Sequence, residues 1–430
     1  MDKKISGNLN ILRLKKIIKY PLRKAYEYIL DLRSVYYLKK NYNKAPHDGK
    51  IKVGFIVQMP ELWDKQSSVY IRMCGDTRFE PWLIIVPKYD FENSRIGDYS
   101  SEKNFFISNC LNQKYIVIYN DDKWEKINIS EFDYLFFQRP YEHYLPSFLR
   151  SSNTVCYTKN CYIPYATPEE KDTIIYPVSF FRNIYIGFME DIGAAQINIQ
   201  KFKGNCDKGI QHFMGIGYPA FEKCMQINKK CEYARFLWTP RWSYDPVIGG
   251  SHFIEYYQQL SDYKWGETKL IVRPHPLMWD NFIKEGILNK TQVDNVISLW
   301  KQRDITLDNN QSIEITYEDT DVLISDRSSV IPLFFLTGKP IIYCPLECEY
   351  STLFSTILPG LYIANTWEEL SEYINLLSQH KDPLRSVRQA IIDENFDCNS
   401  TATENIINTI IDDYNKMEVG CANGSRDCKL

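Results

Sequence analysis

Runs of apolar residues alternate with polar segments along most of the chain, and their lengths predict buried strands. Each run is apolar at most positions, which is typical of strands covered on both faces of a parallel sheet. The first series consists of IKVGFIV (51–57), WLIIVP (82–87), FDYLFFQ (132–138), VCYT (155–158) and TIIYP (173–177).

A second series of the same kind occupies the later part of the chain. Its predicted strands are ARFLWTP (234–240), LIVRP (270–274), DITL (304–307), DVLIS (321–325), PIIYC (340–344) and LYIAN (361–365). Strands that alternate with helices predict βαβ units. We therefore expect an α/β fold of two Rossmann-like domains, residues 45–228 and 229–417, with their boundary near residues 225–232. A flexible polar tail is expected over residues 418–430.

Residues 1–44 place Leu, Ile and Tyr at spacings of three and four, with Lys and Arg between them. This pattern predicts an amphipathic helix that is broken or kinked near Pro21, because proline cannot donate the helical hydrogen bond. The segment carries twelve basic and three acidic residues, a charge of +9, which leaves −12 for residues 45–430. Such helices lie on anionic membrane surfaces, and the alternative is packing on the protein's own body.

The composition is that of a soluble globular protein. The 430 residues have a net charge of −3, with 44% hydrophobic and 24% charged residues, which excludes a mainly disordered, collagenous or coiled-coil chain. No apolar run approaches the roughly 18–20 residues that span a bilayer, and the N-terminus is not that of a secretory signal. The twelve cysteines form no CxxC pair, so we expect free thiols in a reducing cytosol. The acidic body makes nucleic acid an unfavourable partner.

The turn after DVLIS carries the sharpest chemical signal. Asp326, Arg327, Ser328 and Ser329 lie between this buried strand and a helix that contains Pro332. The turn therefore lies at the carboxyl edge of a parallel sheet, where open α/β folds bind ligands. An Arg, two hydroxyls and free backbone N–H groups suit a phosphate. The alternative is that Asp326 and Ser328 only cap the helix.

Arg273 and His275 form a second candidate pair, in KLIVRPHPLMWD (269–280). They also follow a predicted strand, and two prolines fix their turn. At the same edge as Asp326 they are placed to stabilise charge on a phosphoryl group. A structural role for the histidine is the alternative.

Four segments together resemble the CDP-glycerol glycerophosphotransferase family, whose enzymes build teichoic acids and related capsular phosphopolyol polymers. They are GYPAF (217–221), LWTPRW (237–242), RPHP (273–276) and DVLISDRSSVIPLFFLTGKPIIY (321–343). The resemblance implies a GT-B fold, in which two Rossmann-like domains face a central cleft. It also implies a CDP-activated donor held by the C-terminal domain.

The resemblance further implies site residues. The family's donor-phosphate arginine and histidine fall on Arg273 and His275. Together with the turn described above, the predicted donor-binding residues are Thr239, Arg241, Asp326, Arg327, Ser328 and Ser329.

The chain departs from the family at the catalytic base. Teichoic acid polymerases have a Trp-His-Gly sequence that supplies a proposed base, and none occurs here. The predicted substitute is His143, with Glu142 or Asp64 as alternatives. The family's acidic-Tyr-x-x-x-Arg-Gly segment is also altered, to LECEYSTLF (346–354).

The loop MPELWDKQSS (59–68) follows the first predicted strand and should face the same cleft. Trp63, Asp64 and Gln66 are the predicted acceptor contacts, with simple packing of Trp63 as the alternative.

These features predict transfer of glycerol phosphate or ribitol phosphate from a CDP-linked donor to a lipid- or glycan-linked acceptor hydroxyl, with release of CMP. The expected location is the cytoplasmic face of the cell membrane, with the basic extension on an anionic surface. No carboxylate pair at a strand end demands a metal, so no cofactor is required, and Mg²⁺ stays an open alternative. Two other functions stay open: an inverting GT-B glycosyltransferase that uses a nucleotide sugar, and a non-catalytic assembly subunit.

Overall fold

A computed structural model describes residues 3–43, 49–87, 89–90, 95–167, 178–227, 232–244, 250–310, 313–347 and 349–422. In chain order the strands are β1 Ile51–Val57, β2 Phe79–Ile85, β3 Tyr89–Asp90, β4 Arg95–Ile96, β5 Lys114–Val117, β6 Tyr119–Asn120, β7 Lys123–Trp124, β8 Tyr134–Phe137, β9 Lys159–Tyr162, β10 Ile186–Phe188, β11 His212–Met214, β12 Arg235–Thr239, β13 Lys269–Val272, β14 Thr306–Leu307, β15 Val322–Ser325, β16 Ile341–Tyr343 and β17 Tyr362–Ile363.

The helices alternate with these strands through most of the chain. They are α1 Lys3–Tyr42, α2 Ser67–Cys74, α3 Ser100–Ser108, α4 Ser151–Thr154, α5 Val178–Phe181, α6 Ile192–Lys201, α7 Lys203–Cys206, α8 Pro219–Gln226, α9 Phe253–Asp262, α10 Met278–Lys284, α11 Lys290–Gln302, α12 Ile313–Glu318, α13 Val330–Phe335, α14 Thr352–Ile357, α15 Trp367–Ser378, α16 Arg385–Asn395 and α17 Ala402–Ala422.

The two main sheets have the same topology. The first has seven strands in the order β11-β10-β9-β8-β1-β2-β5, and the second has six in the order β14-β13-β12-β15-β16-β17. All these strands pair in parallel. In each sheet the chain starts at a central strand, builds one side, and then returns to build the other, which opens a crevice at the carboxyl ends of the central pair. These pairs are β1 with β8 and β12 with β15. The predicted pair of Rossmann-like sheets is therefore confirmed.

The predicted apolar strands are buried on both faces. In β1, Val53 and Phe55 belong to one apolar cluster, and Ile56 belongs to another. The first of these clusters continues into the C-terminal half, where it includes Leu237 of β12 and Ile406 of α17. The two halves of the chain therefore share a continuous core.

One predicted strand is wrong in its position. VCYT (155–158) forms a turn after α4, in which the N–H of Val155 donates to the carbonyl of Ser151, and strand β9 begins only after this turn. Val155 is fully buried, and burial of a short apolar run does not distinguish a turn from a strand. The predicted strand TIIYP (173–177) lies outside the described residues.

Helix α1 confirms the predicted N-terminal helix but runs without a break through Pro21. A proline removes one N–H from the hydrogen-bond ladder, and that single loss does not end a helix of 40 residues. The helix packs on the body along one face, where Leu38 is buried and Ser34 Oγ donates to Asn183 Oδ1 at 2.6 Å. Among the described residues, no helix has both the length and the apolar character that a membrane span needs.

Helix α17 returns to the first sheet, although its residues up to 417 were assigned from sequence to the C-terminal domain. The carboxylate of Asp413 accepts hydrogen bonds from Tyr134 Oη at 2.6 Å and from Tyr185 Oη at 2.8 Å. It also accepts from Lys159 Nζ at 2.7 Å. Because Lys159 is almost fully buried, Asp413 is its counter-charge and fastens α17 to the first sheet.

Replacing Asp413 by Ala should lower the free energy of unfolding by about 3–5 kcal/mol, because the buried Lys159 would lose the carboxylate to which it is hydrogen-bonded. Chemical denaturation measures this change. Asp207→Ala is the matched control, since it removes an exposed ion pair with Lys203, and its expected effect is below about 1 kcal/mol. Equal stability of the two variants would contradict this role of Asp413.

Candidate active site

A cavity of about 660 Å³ lies between the carboxyl ends of the two sheets. Segments that follow β1, β8, β9 and β11 form one wall, and segments that follow β12, β13 and β15 form the other. We call these the N-terminal wall and the C-terminal wall. Of the predicted residues, the C-terminal wall contains Thr239, Arg241, Arg273, His275, Arg327, Ser328 and Ser329, and the N-terminal wall contains His143.

Asp326 is the organising residue of the C-terminal wall, but it is only 1% exposed and does not line the cavity. Its Oδ2 accepts from the N–H groups of Arg241 at 2.8 Å and His252 at 3.2 Å. Its Oδ1 lies 2.9 Å from His252 Nδ1, and Ser251 Oγ also donates to the carboxylate. The prediction of a donor contact at Asp326 is therefore corrected: the carboxylate ties the turn after β12 to the turn after β15.

Two arginines of the C-terminal wall are held in place by their own partners. The Nη1 of Arg241 donates to the carbonyl of Arg327 at 2.9 Å. Arg273 forms an ion pair with the buried Asp308 and also donates to Thr316 Oγ1 at 3.2 Å. These contacts orient the guanidinium groups before any ligand arrives, which suits them to bind phosphate oxygens.

His275 presents a neutral imidazole to the cavity. Its Nδ1 accepts a hydrogen bond from the N–H of Leu277 at 3.1 Å, and its ring stacks on Trp242 at 5.6 Å between centroids. Desolvation by the surrounding protein, with a smaller contribution from Arg241, lowers the pKa of His275 to about 4. Near pH 7 the ring therefore carries its one proton on Nε2 and acts as a hydrogen-bond donor. The prediction of a phosphate contact at His275 is compatible with this state, in which the contact would be made by a neutral donor and not by a cation.

The two serines of the turn both line the cavity. Ser328 Oγ accepts from the N–H of Val330 at 3.4 Å, a long contact at the start of α13. Ser329, in the cap position, makes no side-chain capping bond. The bonds of the Asp326 carboxylate go to the segment after β12, so capping of α13 does not account for these three residues together.

The three residues that were predicted to contact the acceptor do not face the cavity. Trp63 packs against Tyr70 and Phe106 in the core. Asp64 pairs with Lys65, and Gln66 Nε2 donates to the carbonyl of Phe137 at 2.7 Å. None of the three predicted residues lines the cavity, and the alternative of simple packing for Trp63 describes its place.

The same segment still contributes to the cavity. A 3₁₀ helix over Pro60–Lys65 turns Glu61, Leu62 and Lys65 towards it. The prediction that this segment faces the cavity is therefore confirmed, but the side chains that reach the cavity are not the predicted ones. The sequence of the segment has no helical periodicity from which their orientation could be predicted.

His143 is the one base candidate that reaches the cavity. It lies on a 3₁₀ helix over Glu142–Tyr144, is exposed to the cavity, and packs its ring 4.1 Å from that of Tyr144. Burial, followed by the charges of Arg139 and Arg150, lowers its pKa. The alternative bases are engaged elsewhere, since the carboxylate of Glu142 accepts from the N–H of Ser151 and Asp64 pairs with Lys65.

Sequence reasoning missed several residues of the N-terminal wall. Arg139, Tyr141, Tyr144, Tyr165 and Tyr218 all line the cavity. Arg139 immediately follows the apolar run FDYLFFQ, and this position after a strand was a usable signal. Tyrosines give no comparable signal, because the chain has 31 of them. Within the described residues, no group of three or more His, Cys, Asp or Glu is arranged to hold a metal ion.

The C-terminal half of the chain matches the sequence model of a known family. The family model described as CDP-Glycerol:Poly(glycerophosphate) glycerophosphotransferase matches residues 228–412, which contain the whole C-terminal wall. No curated protein sequence matches the chain significantly.

Solved structures support the fold. A variant of the wall teichoic acid polymerase TagF is 12% identical with a TM-score of 0.51, over 93% of this chain and 98% of that one. A putative UDP-N-acetylglucosamine 2-epimerase from Listeria monocytogenes is 12% identical with a TM-score of 0.53, over 86% and 98%. The UDP-GlcNAc 2-epimerase from Methanocaldococcus jannaschii, in complex with UDP-GlcNAc and UDP, is 13% identical with a TM-score of 0.51, over 84% and 99%.

At these identities the structures establish the fold, and the family model establishes the resemblance of the C-terminal half. The predicted GT-B-type fold is confirmed, and the predicted resemblance to the CDP-glycerol:poly(glycerophosphate) glycerophosphotransferase family is confirmed over residues 228–412, which is less than half of the chain.

Proposed function

We propose that the protein transfers a polyol phosphate, glycerol phosphate or ribitol phosphate, from a CDP-activated donor to an acceptor hydroxyl, with release of CMP. The product is a cell-surface polymer of the teichoic acid or capsule type. The observation that carries this proposal is the opposition of two walls across one cavity: cationic groups and hydroxyls within the family-matched domain, and a neutral histidine on the facing wall.

The C-terminal wall binds the donor. Arg241, Arg273 and Arg327 surround the diphosphate, and the Nε2–H of His275 donates to one of its oxygens. These groups stabilise the negative charge that gathers on the leaving CMP as its bond to the transferred phosphorus breaks. Ser328 and Ser329 add hydroxyl donors at the same wall.

The N-terminal wall receives the acceptor. Its hydroxyl oxygen attacks the β-phosphorus of the donor in line with the bond to CMP, and His143 takes the hydroxyl proton. Because its pKa is lowered, His143 is unprotonated near pH 7 and ready to accept that proton. One phosphorus–oxygen bond forms, one breaks, and CMP leaves with the bonding electron pair.

Helix α1 supports a location at a membrane surface, where a lipid-linked acceptor would be found. Beyond the face that packs on the body, it exposes a row of large apolar and aromatic residues. They are Tyr26, Tyr28, Ile29, Leu32, Tyr36 and Tyr42. Basic residues such as Arg23, Lys39 and Lys40 are exposed on the same helix, and together these favour binding to anionic lipid.

The test of the proposed function is an assay of nucleotide release from CDP-glycerol, CDP-ribitol and a panel of nucleotide sugars. We expect CMP from a CDP-polyol, and a fall in kcat/KM of at least about 100-fold for His275→Gln, since a donor to the transition-state charge is lost. His380→Gln is the matched control, because His380 is exposed and outside the cavity. Release of UDP or GDP from a nucleotide sugar would instead favour a glycosyltransferase. Donor binding without turnover would favour an assembly subunit.

The pH dependence of kcat/KM tests His143. A base must be unprotonated, so activity should fall on the acid side only as the pH drops through a pKa below the ordinary histidine value of 6.5. His143→Gln should remove this acid limb and lower kcat by about 10²–10⁴. An unchanged profile in the folded variant would exclude His143 as the base.

Sedimentation with vesicles that contain phosphatidylglycerol tests the membrane contact. Ile29→Ser with Leu32→Ser should weaken binding at least about tenfold, because two exposed apolar side chains no longer enter the interface. Turnover on a soluble acceptor should not change. Ile192→Ser with Ile197→Ser, exposed on α6, is the matched control. Equal vesicle binding by both double variants would rule out this face of α1. Substitution is preferable to deletion of residues 1–44, which would also remove the buried contacts of α1.

A further inference from the structure

Arg139 lies at the carboxyl edge of the first sheet, beside its central pair of strands. It follows β8 by two residues, at the crevice that the reversal of strand order opens between β1 and β8. Ligands of open parallel sheets bind in this kind of crevice. The side chain lines the cavity on the N-terminal wall, although the residue as a whole is only 8% exposed.

The groups that bond to the Arg139 guanidinium in the described part of the chain are neutral, and Glu61, which also lines the cavity, acts on it through its charge without forming an ion pair. Its Nε and Nη2 donate to Gln58 Oε1 at 3.3 and 3.1 Å, and its Nη1 lies 3.3 Å from Met59 Sδ. Its face lies 4.1 Å from the ring centre of Tyr144. Burial lowers the pKa of Arg139 to about 10, so it is still a cation at neutral pH.

Two other cations of the cavity have carboxylate partners. Arg273 pairs with Asp308, and Lys65 pairs with Asp64. A buried cation that forms no ion pair destabilises the fold unless an anion joins it. Arg139 therefore has the charge and the position of a group that awaits an anionic ligand.

Hydrogen bonds around the crevice fix the position of the Arg139 side chain. Gln138 Oε1 accepts from the N–H groups of Gln58 and Met59, each at 2.8 Å. Gln138 Nε2 donates back to the carbonyl of Met59 at 2.7 Å. These bonds join the ends of β1 and β8 and position Gln58, which in turn orients the guanidinium.

We propose that Arg139 binds a phosphate carried by the acceptor and so selects phosphate-bearing acceptors over neutral ones. This inference rests on the proposed function, which assigns the donor to the C-terminal wall. Arg139 and His143 both pack against Tyr144 on the opposite wall. An acceptor whose hydroxyl reaches His143 therefore presents a neighbouring phosphate to Arg139.

Calorimetric titration of the full chain with glycerol 3-phosphate and with glycerol, in the absence of donor, tests the proposal. The wild type should bind glycerol 3-phosphate at least about tenfold more tightly than glycerol, and Arg139→Gln should abolish that preference, since hydrogen bonds to a charged group are lost. Arg139→Lys keeps the charge and should retain part of the preference. Arg78→Gln, an exposed arginine paired with Asp76, is the matched control and should behave as the wild type.

Equal binding of the two probes by the wild type would overturn the proposal, as would a preference that persists in a folded Arg139→Gln protein. A loss of CDP-glycerol affinity in Arg139→Gln, with glycerol 3-phosphate binding unchanged, would assign the residue to the donor instead. The titration contains no donor, so it does not depend on turnover. A failure of the protein to use any CDP-polyol would refute the proposed function, but the measured preference for glycerol 3-phosphate over glycerol would still test the role of Arg139.

Discussion

Parallel strand pairing is the constraint on which the rest of the molecule depends. All strands of a parallel sheet end at the same edge, and reversal of the strand order opens a crevice at that edge. The protein contains two such sheets of the same topology, and their carboxyl edges face each other across the cavity. Functional side chains on both walls therefore lie just past a strand end, whichever half of the chain supplies them.

Two carboxylates, one of them fully buried, hold this arrangement together. Asp326 joins the turns after β12 and β15 and so sets the positions of Arg241 and Arg327. Asp413 joins α17 to the first sheet through Lys159 and two tyrosines. Neither carboxylate lines the cavity. Their contribution is a rigid frame, in which charged groups need little rearrangement when a ligand binds.

The same physical cause gives the two cavity histidines their chemistry. Desolvation, aided by nearby arginines, lowers the pKa of both His275 and His143. Both are neutral as a result, but they differ in the nitrogen that is left to act. The bond from Leu277 occupies Nδ1 of His275, which leaves a donor at Nε2. His143 lies on the opposite wall from His275, where the proposed reaction needs a proton acceptor.

Several features could be predicted from the sequence because they depend on local pattern. Continuous apolar runs identified β1, β12 and β15, and the residues that follow β12, β13 and β15 proved to line the C-terminal wall. Local pattern failed where orientation mattered. Trp63 and Lys65 belong to one short helix, yet one packs in the core and the other faces the cavity. The position of Asp326 in the sequence is typical of a turn that binds phosphate. Only its contacts in the folded protein show that it links the turn after β12 to the turn after β15.

The sequence by itself determined the α/β class, the two series of buried strands and the strand ends at which chemistry occurs, since burial and turn geometry follow from spacing along the chain. It did not determine that α17 crosses to the first sheet, that His275 is neutral, or that Arg139 is buried with neutral hydrogen-bond partners. Each of these depends on which distant groups come together, because desolvation and charge pairing are properties of the folded surroundings and not of the chain's local order.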